Sequence, residues 1–300
     1  MSAMTVSAPA QQSPREPETA ALLERSAPLA RLLADSLCRA PIGRDHCGAL
    51  HGVWPDLRLL GAAAEPDRHA AFYADALAAR AAAGASERVL VSGCADWGML
   101  ATTVSAYRHQ AAPLDVTVVD RCPTPTLLCA WYGAQVGMPV RTAVADVGEY
   151  QESRPFDLIC THSLLRYPVL EGRHRLVENW RKLVRPGGAV VTVTRLSREP
   201  ASSPDPESAR RFADRIVRRC AELGLDRDPI ELRARAERFS TAQVAHAVGD
   251  ATDLRELFEQ HGFEVVRLET PQLEGPVHVR EPIGGAARSG SYGEIVAVRR

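Results

Sequence analysis

Arg88-Val89-Leu90-Val91-Ser92-Gly93-Cys94-Ala95-Asp96-Trp97-Gly98 is the stretch on which the fold of this chain turns. Arg88 to Ser92 is a short apolar, β-branched run that stops at a glycine, so it reads as a buried strand ending in a turn where the backbone needs freedom. Working outward, similar runs stand at Val116 to Val119, Val140 to Val144, Phe156 to Cys160 and Ala189 to Thr194. The segments between them are long enough for crossover helices. Strands alternating with helices at this spacing predict a parallel sheet covered on both faces.

Beyond Thr194 the alternation stops. Residues from about 205 to 248 read as helical and strongly charged, with Arg210, Arg211, Arg215, Arg218 and Arg219 crowded together, and suggest an inserted lid whose arginines form a solvated face. A helix at Asp253 to His261, a strand at Phe263 to Leu268, a long loop and a last strand at Glu294 to Arg299 resume the pattern. On the other side, Leu22, Leu23, Leu29, Leu32, Leu33 and Leu37 recur at helical spacing between Glu18 and Arg39, where Pro28 is expected to break or kink the helix. A further helix is expected over Arg68 to Ala83, before the turn Gly84-Ala85-Ser86. Residues 1–16 have nothing to bury and read as a disordered tail, 17–84 as a helical cap, and 85–300 as the main domain with an insertion at about 197–250.

With 300 residues and 45% hydrophobic composition, the chain can bury a large core. Its formal charge of −1 provides no global field for nucleic acid or an anionic membrane. Seven cysteines, at 38, 47, 94, 122, 129, 160 and 220, include no CxxC pair, which argues against a disulfide framework and for a reducing cytoplasm. No apolar run is long enough to span a bilayer.

An open parallel sheet binds its ligand beyond the carboxyl ends of the strands, and the turn after the first strand is the usual cradle. Here that turn is Gly93 to Gly98. Asp120 ends the second run, where a carboxylate can accept both hydroxyl protons of a ribose, and Asp146 follows the third, within reach of an adenine amino group. Together with the helix that ends in Leu183-Val184-Arg185-Pro186-Gly187-Gly188 before the fifth strand, these residues make the run from Arg88 to Arg195 resemble the core of the class I S-adenosylmethionine-dependent methyltransferases. The terminal strand, loop and strand match the antiparallel hairpin of that family.

The resemblance implies a Rossmann-like α/β fold: a seven-stranded, mostly parallel sheet with helices on both faces, an N-terminal helical cap and a helical insertion after strand five. It implies S-adenosyl-L-methionine as cofactor, S-adenosyl-L-homocysteine as product, and a nucleoside cradle built from Gly93, Cys94, Ala95, Asp120, Arg121, Asp146, Val147 and Thr161. His162, after strand four, faces the methyl group in such an architecture and is the candidate general base, a structural imidazole being the alternative. Ser163 and Arg195 are candidate substrate contacts. The stretch from Arg44 to Trp54 concentrates His, Cys and Asp at a spacing that matches no zinc pattern, so no metal is expected there; His51, Trp54 and Arg58 are read as substrate-pocket lining, with packing as the alternative.

The expected activity is methyl transfer to an O, N, S or C nucleophile of a small molecule in specialised metabolism, with neither nucleic acid nor membrane as partner and a homodimer left open. Thr161-His162-Ser163 also lacks the Asn/Asp-Pro-Pro-aromatic motif of many base-modifying relatives. Two alternatives stand beside it. Val91 and Ala95 replace the acidic residue and second glycine usual in the family, which would suit an enzyme of the same fold that binds the cofactor without methyl transfer. The unusual loop and charged insertion would suit a non-catalytic, partner-binding subunit.

Overall fold

The computed structural model describes residues 17–42, 45–63, 66–81, 87–107, 114–198, 205–242, 245–273 and 290–300. The expected tail at 1–16 and the turn at Gly84 to Ser86 lie outside them. Seven strands form the main sheet: β1 Glu87–Ser92, β2 Leu114–Asp120, β3 Val140–Val144, β4 Phe156–His162, β5 Val184–Arg195, β6 Phe263–Glu269 and β7 Gly290–Arg299. Their order is β3-β2-β1-β4-β5-β7-β6, with β7 antiparallel to both neighbours and the pairs among β1 to β5 parallel. This is the expected Rossmann-like sheet. The chain reverses direction across the sheet between β1 and β4, which opens a crevice at their carboxyl ends.

The inner strands β1, β2, β4 and β5 read as mostly apolar runs because both faces are covered, whereas the edge strands β3 and β6 leave residues such as Arg141 and Glu264 exposed. Along β1, Val89 and Val91 join one core while Leu90 joins the other. The first core is completed by α1 (Pro17–Leu37), α4 (Ala70–Ala81), α5 (Gly98–Tyr107) and α6 (Pro123–Gln135), through Leu23, Phe72, Leu77, Leu100 and Leu128. On the opposite face α7 (Leu170–Leu183) and α10 (Ala251–Gln260) contribute Leu176, Val177, Trp180, Leu254 and Phe258. Burying each of these large side chains contributes about 1.5–3 kcal/mol. The Asp250–Asp253 capping box fixes the start of α10.

One expectation is corrected. Pro28 does not break the first helix, which runs unbroken from Pro17 to Leu37. Pro28 and Glu24, whose carbonyl loses its donor, both lie on the exposed side, where that carbonyl need not be buried unpaired, while Leu23, Ala27, Ala30 and Ala34 hold the buried stripe. Between α7, which ends at Leu183, and the buried part of β5, residues Arg185 to Gly188 turn out of register: the pairing with β4 jumps from Val184–Phe156 to Ala189–Leu158, and Gly187 lies at φ +73°.

Above the crevice, two short helices, α2 (Gly48–His51) and α3 (Trp54–Leu59), pack against α8 (Pro206–Glu222) and α9 (Pro229–Ala242). Leu50, Val53 and Leu57 meet Phe212, Ile216 and Phe239 in a third apolar cluster. The arginines of α8 lie outward, where Arg211 pairs with Glu207 and Arg219 with Glu222. Among the described residues no helix is long and apolar enough to cross a membrane.

Candidate active site

A cavity of about 590 Å³ lies over the carboxyl ends of β1 to β5. Its floor begins at the turn after β1. Gly93 adopts φ +66°, and a Cβ there would stand 2.8 Å from the Leu164 side chain, so only glycine fits without displacement. Asp120 brackets this turn: its Oδ2 accepts from the backbone N–H of Cys94 at 2.9 Å and its Oδ1 from that of Cys122 at 2.8 Å. Burial pushes the Asp120 carboxyl pKa up, opposed by the His51 charge and by these two donors.

Trp97, in the turn after β1, is structural. It is buried, stacks on Tyr132 with ring centroids 4.9 Å apart, and donates from Nε1 to Ser26 Oγ at 3.1 Å. Asp96 beside it caps α5 by accepting from Gly98 N at 2.8 Å, and its other oxygen takes Arg58 at 2.8 Å. Asp146 is exposed at the cavity rim, with Oδ1 accepting from Gly148 N at 2.8 Å. Val147 behind it is buried, and Asn179 on α7 holds this loop by donating to the carbonyl of Val147 at 2.7 Å and of Tyr150 at 2.9 Å.

His162 ends β4 and lines the cavity. Tyr73 on α4 donates its hydroxyl proton to the Thr161 carbonyl at 2.8 Å, so its oxygen must act as acceptor towards His162 Nδ1, 3.1 Å away. That assigns the ring proton to Nδ1 and leaves Nε2 as a bare acceptor, with no partner among the described residues. Burial, reinforced by the neighbouring His69, Arg58 and Arg166, holds the His162 pKa well below 6.5, so the ring is neutral at pH 7. Ser163, the next residue, is the only described non-glycine with positive φ, at 58°. Its Oγ is likewise buried and unpartnered among the described residues, a strained position beside the cavity.

Of the residues expected from sequence, Gly93, Cys94, Ala95, Asp120, Arg121, Asp146, Val147, His51, Trp54, His162, Ser163 and Arg195 all line this one cavity. Thr161 and Arg58 do not. Thr161 is fully buried within β4 and meets Tyr73 through its carbonyl. Arg58 is 1% exposed; its guanidinium is held by Asp96, lies 3.4 Å from Asp67 and sits 4.6 Å over the Trp97 ring, so it secures the β1 turn from behind. The fold also brings Cys38, Cys47, His51 and Cys122 within 4.8 Å of one another, a grouping that their positions in the sequence do not disclose.

Other residues were missed. Tyr73 lies within the helix expected over Arg68 to Ala83 and has no further mark in the sequence, and His69, 2.6 Å from Glu294 across 225 residues of chain, carries no local signal. Arg166, on the short turn Leu164–Arg166 after β4, lines the cavity with Arg195. Neither arginine has a carboxylate partner among the described residues, and burial together with the Arg195 charge lowers the Arg166 pKa.

No protein-family model matches the chain, and no curated protein matches it significantly. Several solved structures are similar to it. N-methyltransferase NodS from Bradyrhizobium japonicum, in complex with S-adenosyl-L-homocysteine, is 16% identical, with a TM-score of 0.46 over 78% of this chain and 88% of that one. Magnesium protoporphyrin IX methyltransferase from Synechocystis is 10% identical, with a TM-score of 0.45 over 78% and 80%. The 4+2 cyclase SpnF is 15% identical, with a TM-score of 0.49 over 93% and 95%.

Proposed function

We propose that the chain is an S-adenosylmethionine-dependent methyltransferase whose acceptor is a small molecule bearing an anionic group. One observation carries this reading: a single cavity is lined at once by the Asp120 bracket, by His162 and by the paired cations Arg166 and Arg195. The residues suit the cofactor. Each Asp120 oxygen takes one backbone N–H and keeps a lone pair, which is what a vicinal diol requires. Gly93 presents bare backbone, and one Asp146 oxygen is committed to its turn while the other is available to an adenine amino group.

Bound S-adenosylmethionine supplies an electrophilic methyl group on a sulfonium, leaving as S-adenosylhomocysteine. Arg166 and Arg195 hold the acceptor's anionic group through charge-assisted hydrogen bonds. His162 is the base of this reading: Tyr73 keeps the ring in the tautomer that leaves Nε2 to accept a proton, and the acceptor reaches that buried nitrogen when the ring turns towards the cavity. The roof of α2, α3, α8 and α9 limits acceptor size and excludes water, which favours a small molecule over a macromolecule.

Titration calorimetry with S-adenosylhomocysteine on the wild type and Asp120→Asn tests the donor site. Loss of a hydrogen bond to a charged acceptor is worth about 1.5–3 kcal/mol, so the variant should bind about 10- to 100-fold more weakly. Equal affinity would defeat the reading. A second reading has one observation in its favour: Val91 is wholly in the apolar core and Asp96 is committed to Arg58 and Gly98, so β1 offers no free carboxylate. That suits a same-fold enzyme that binds the cofactor without transferring methyl. Incubation with methyl-labelled cofactor and a panel of small carboxylic acids separates the two, since the second reading leaves every acceptor unlabelled.

A further inference from the structure

We propose that Cys38, Cys47, His51 and Cys122 form a closed tetrahedral Zn²⁺ site that pins the N-terminal helices to the sheet beside Asp120. This inference does not depend on the methyl-transfer reading. The four ligands converge from separate places: Cys38 follows α1, Cys47 and His51 bracket α2, and Cys122 is the N-cap of α6. Cys38 Sγ lies 3.4 Å from Cys122 Sγ and 3.4 Å from His51 Nδ1, and Cys47 Sγ lies 3.5 Å from Cys122 Sγ. A tetrahedral zinc with Zn–S of about 2.3 Å and Zn–N of about 2.0 Å needs edges of roughly 3.5–3.8 Å, so these three edges are close to what the ion requires, and all four ligand atoms lie within 4.8 Å of one another.

Three thiols in mutual contact with an imidazole have little to offer one another, because a thiol is a weak donor and a weaker acceptor. All four side chains are nevertheless buried, at 5% exposure or less. The turn is tightly built. A Cβ on Gly48 would stand 2.7 Å from the His46 ring and 3.2 Å from Cys38 Cβ, so the chain passes too close for any side chain there. Thr124 Oγ1, 3.2 Å from Cys38 Sγ, is placed to donate to a thiolate.

Soft sulfur ligands select zinc over magnesium or calcium, and four protein ligands leave no open position, so the site is structural. Binding releases three thiol protons to solvent: Zn²⁺, three thiols and a neutral imidazole give a complex of charge −1. Its position matters for the cavity. The backbone N–H of Cys122 donates to Asp120 Oδ1, so a metal that fixes Cys122 also fixes the carboxylate expected to hold the ribose.

The test uses the full chain, purified without chelator. Elemental analysis should find about one zinc per chain in the wild type and in Cys220→Ser, whose thiol lies elsewhere, on the buried face of α8, and well below half of that in Cys38→Ser and Cys122→Ser. A second measurement does not depend on how those variants fold. Wild type in which Co²⁺ replaces the native metal should show the intense ligand-field and sulfur-to-cobalt charge-transfer absorption of a tetrahedral thiolate site. Wild-type protein with no stoichiometric zinc and only the weak spectrum of hydrated cobalt would overturn the proposal. So would mass spectrometry of alkylated protein showing any two of these three cysteines joined as a disulfide.

Discussion

Changing Tyr73 to phenylalanine deletes one oxygen and keeps a fully buried ring, so its consequences follow from two hydrogen bonds. The Thr161 carbonyl has a second lone pair and belongs to a β-strand, so losing the phenolic donor costs about 0.5–1.5 kcal/mol. His162 Nδ1–H is affected more, because its acceptor disappears in a buried place. Stranding that donor costs about 1–3 kcal/mol. The ring can escape part of this cost by moving the proton to Nε2, which then ceases to be a base. Urea denaturation should therefore show a loss of about 2–4 kcal/mol with an unchanged m-value. The imidazole nitrogen shifts of His162 should report a proton on Nδ1 in the wild type and a mixture or reversal in Tyr73→Phe. A wild-type ring protonated on Nε2, or a variant unchanged in both stability and tautomer, would refute the reasoning that makes Tyr73 the positioning residue.

Two other perturbations probe the same region. Arg58→Leu leaves Asp96 as a buried charge without its partner, so stability should fall by about 3–5 kcal/mol in urea denaturation, and a loss under 1 kcal/mol would return Arg58 to the cavity wall as a substrate contact. For pH, the folded chain binds a proton at His162 less readily than the unfolded chain, whose histidine titrates near 6.5. Stability is therefore complete above 6.5 and falls as pH drops below it, by up to about 1.4 kcal/mol per unit until the folded pKa is reached. The stability difference between wild type and His162→Gln should change with that slope; a difference independent of pH between 5 and 7, as roughly the useful range, would show that the ring is not held neutral.

How far the sequence discloses this molecule depends on how far apart the cooperating residues lie in the chain. The inner strands were legible because burial on both faces favours short apolar runs rich in β-branched residues, and Val89 to Val91, Val116 to Val119 and Val190 to Val193 supply them. Gly93 and Asp120 were legible for a related reason: a strand end is a place that a linear pattern can locate, and the crevice always lies there. Pro28 misled because helix-breaking was judged without knowing which side faces water. The Tyr73–His162 contact spans 89 residues and the His69–Glu294 contact 225, and neither has any periodicity to announce it.

The cysteine cluster shows the same limit most sharply. Cys47 and His51 stand four residues apart and drew notice, but spacing alone gave two ligands of a set that needs four. The missing ones arrive through tertiary structure: α1 delivers Cys38 against α6, and the strand that ends in Asp120 delivers Cys122 two residues later. The same turn after β2 therefore serves two constellations: Asp120 and Cys122 both line the cavity, and Cys122 also belongs to the cluster. A parallel sheet fixes where its strand ends lie far more rigidly than it fixes loops, so a metal anchored to that turn would gain its geometry from the sheet and lend rigidity in return to the N-terminal helices that roof the cavity.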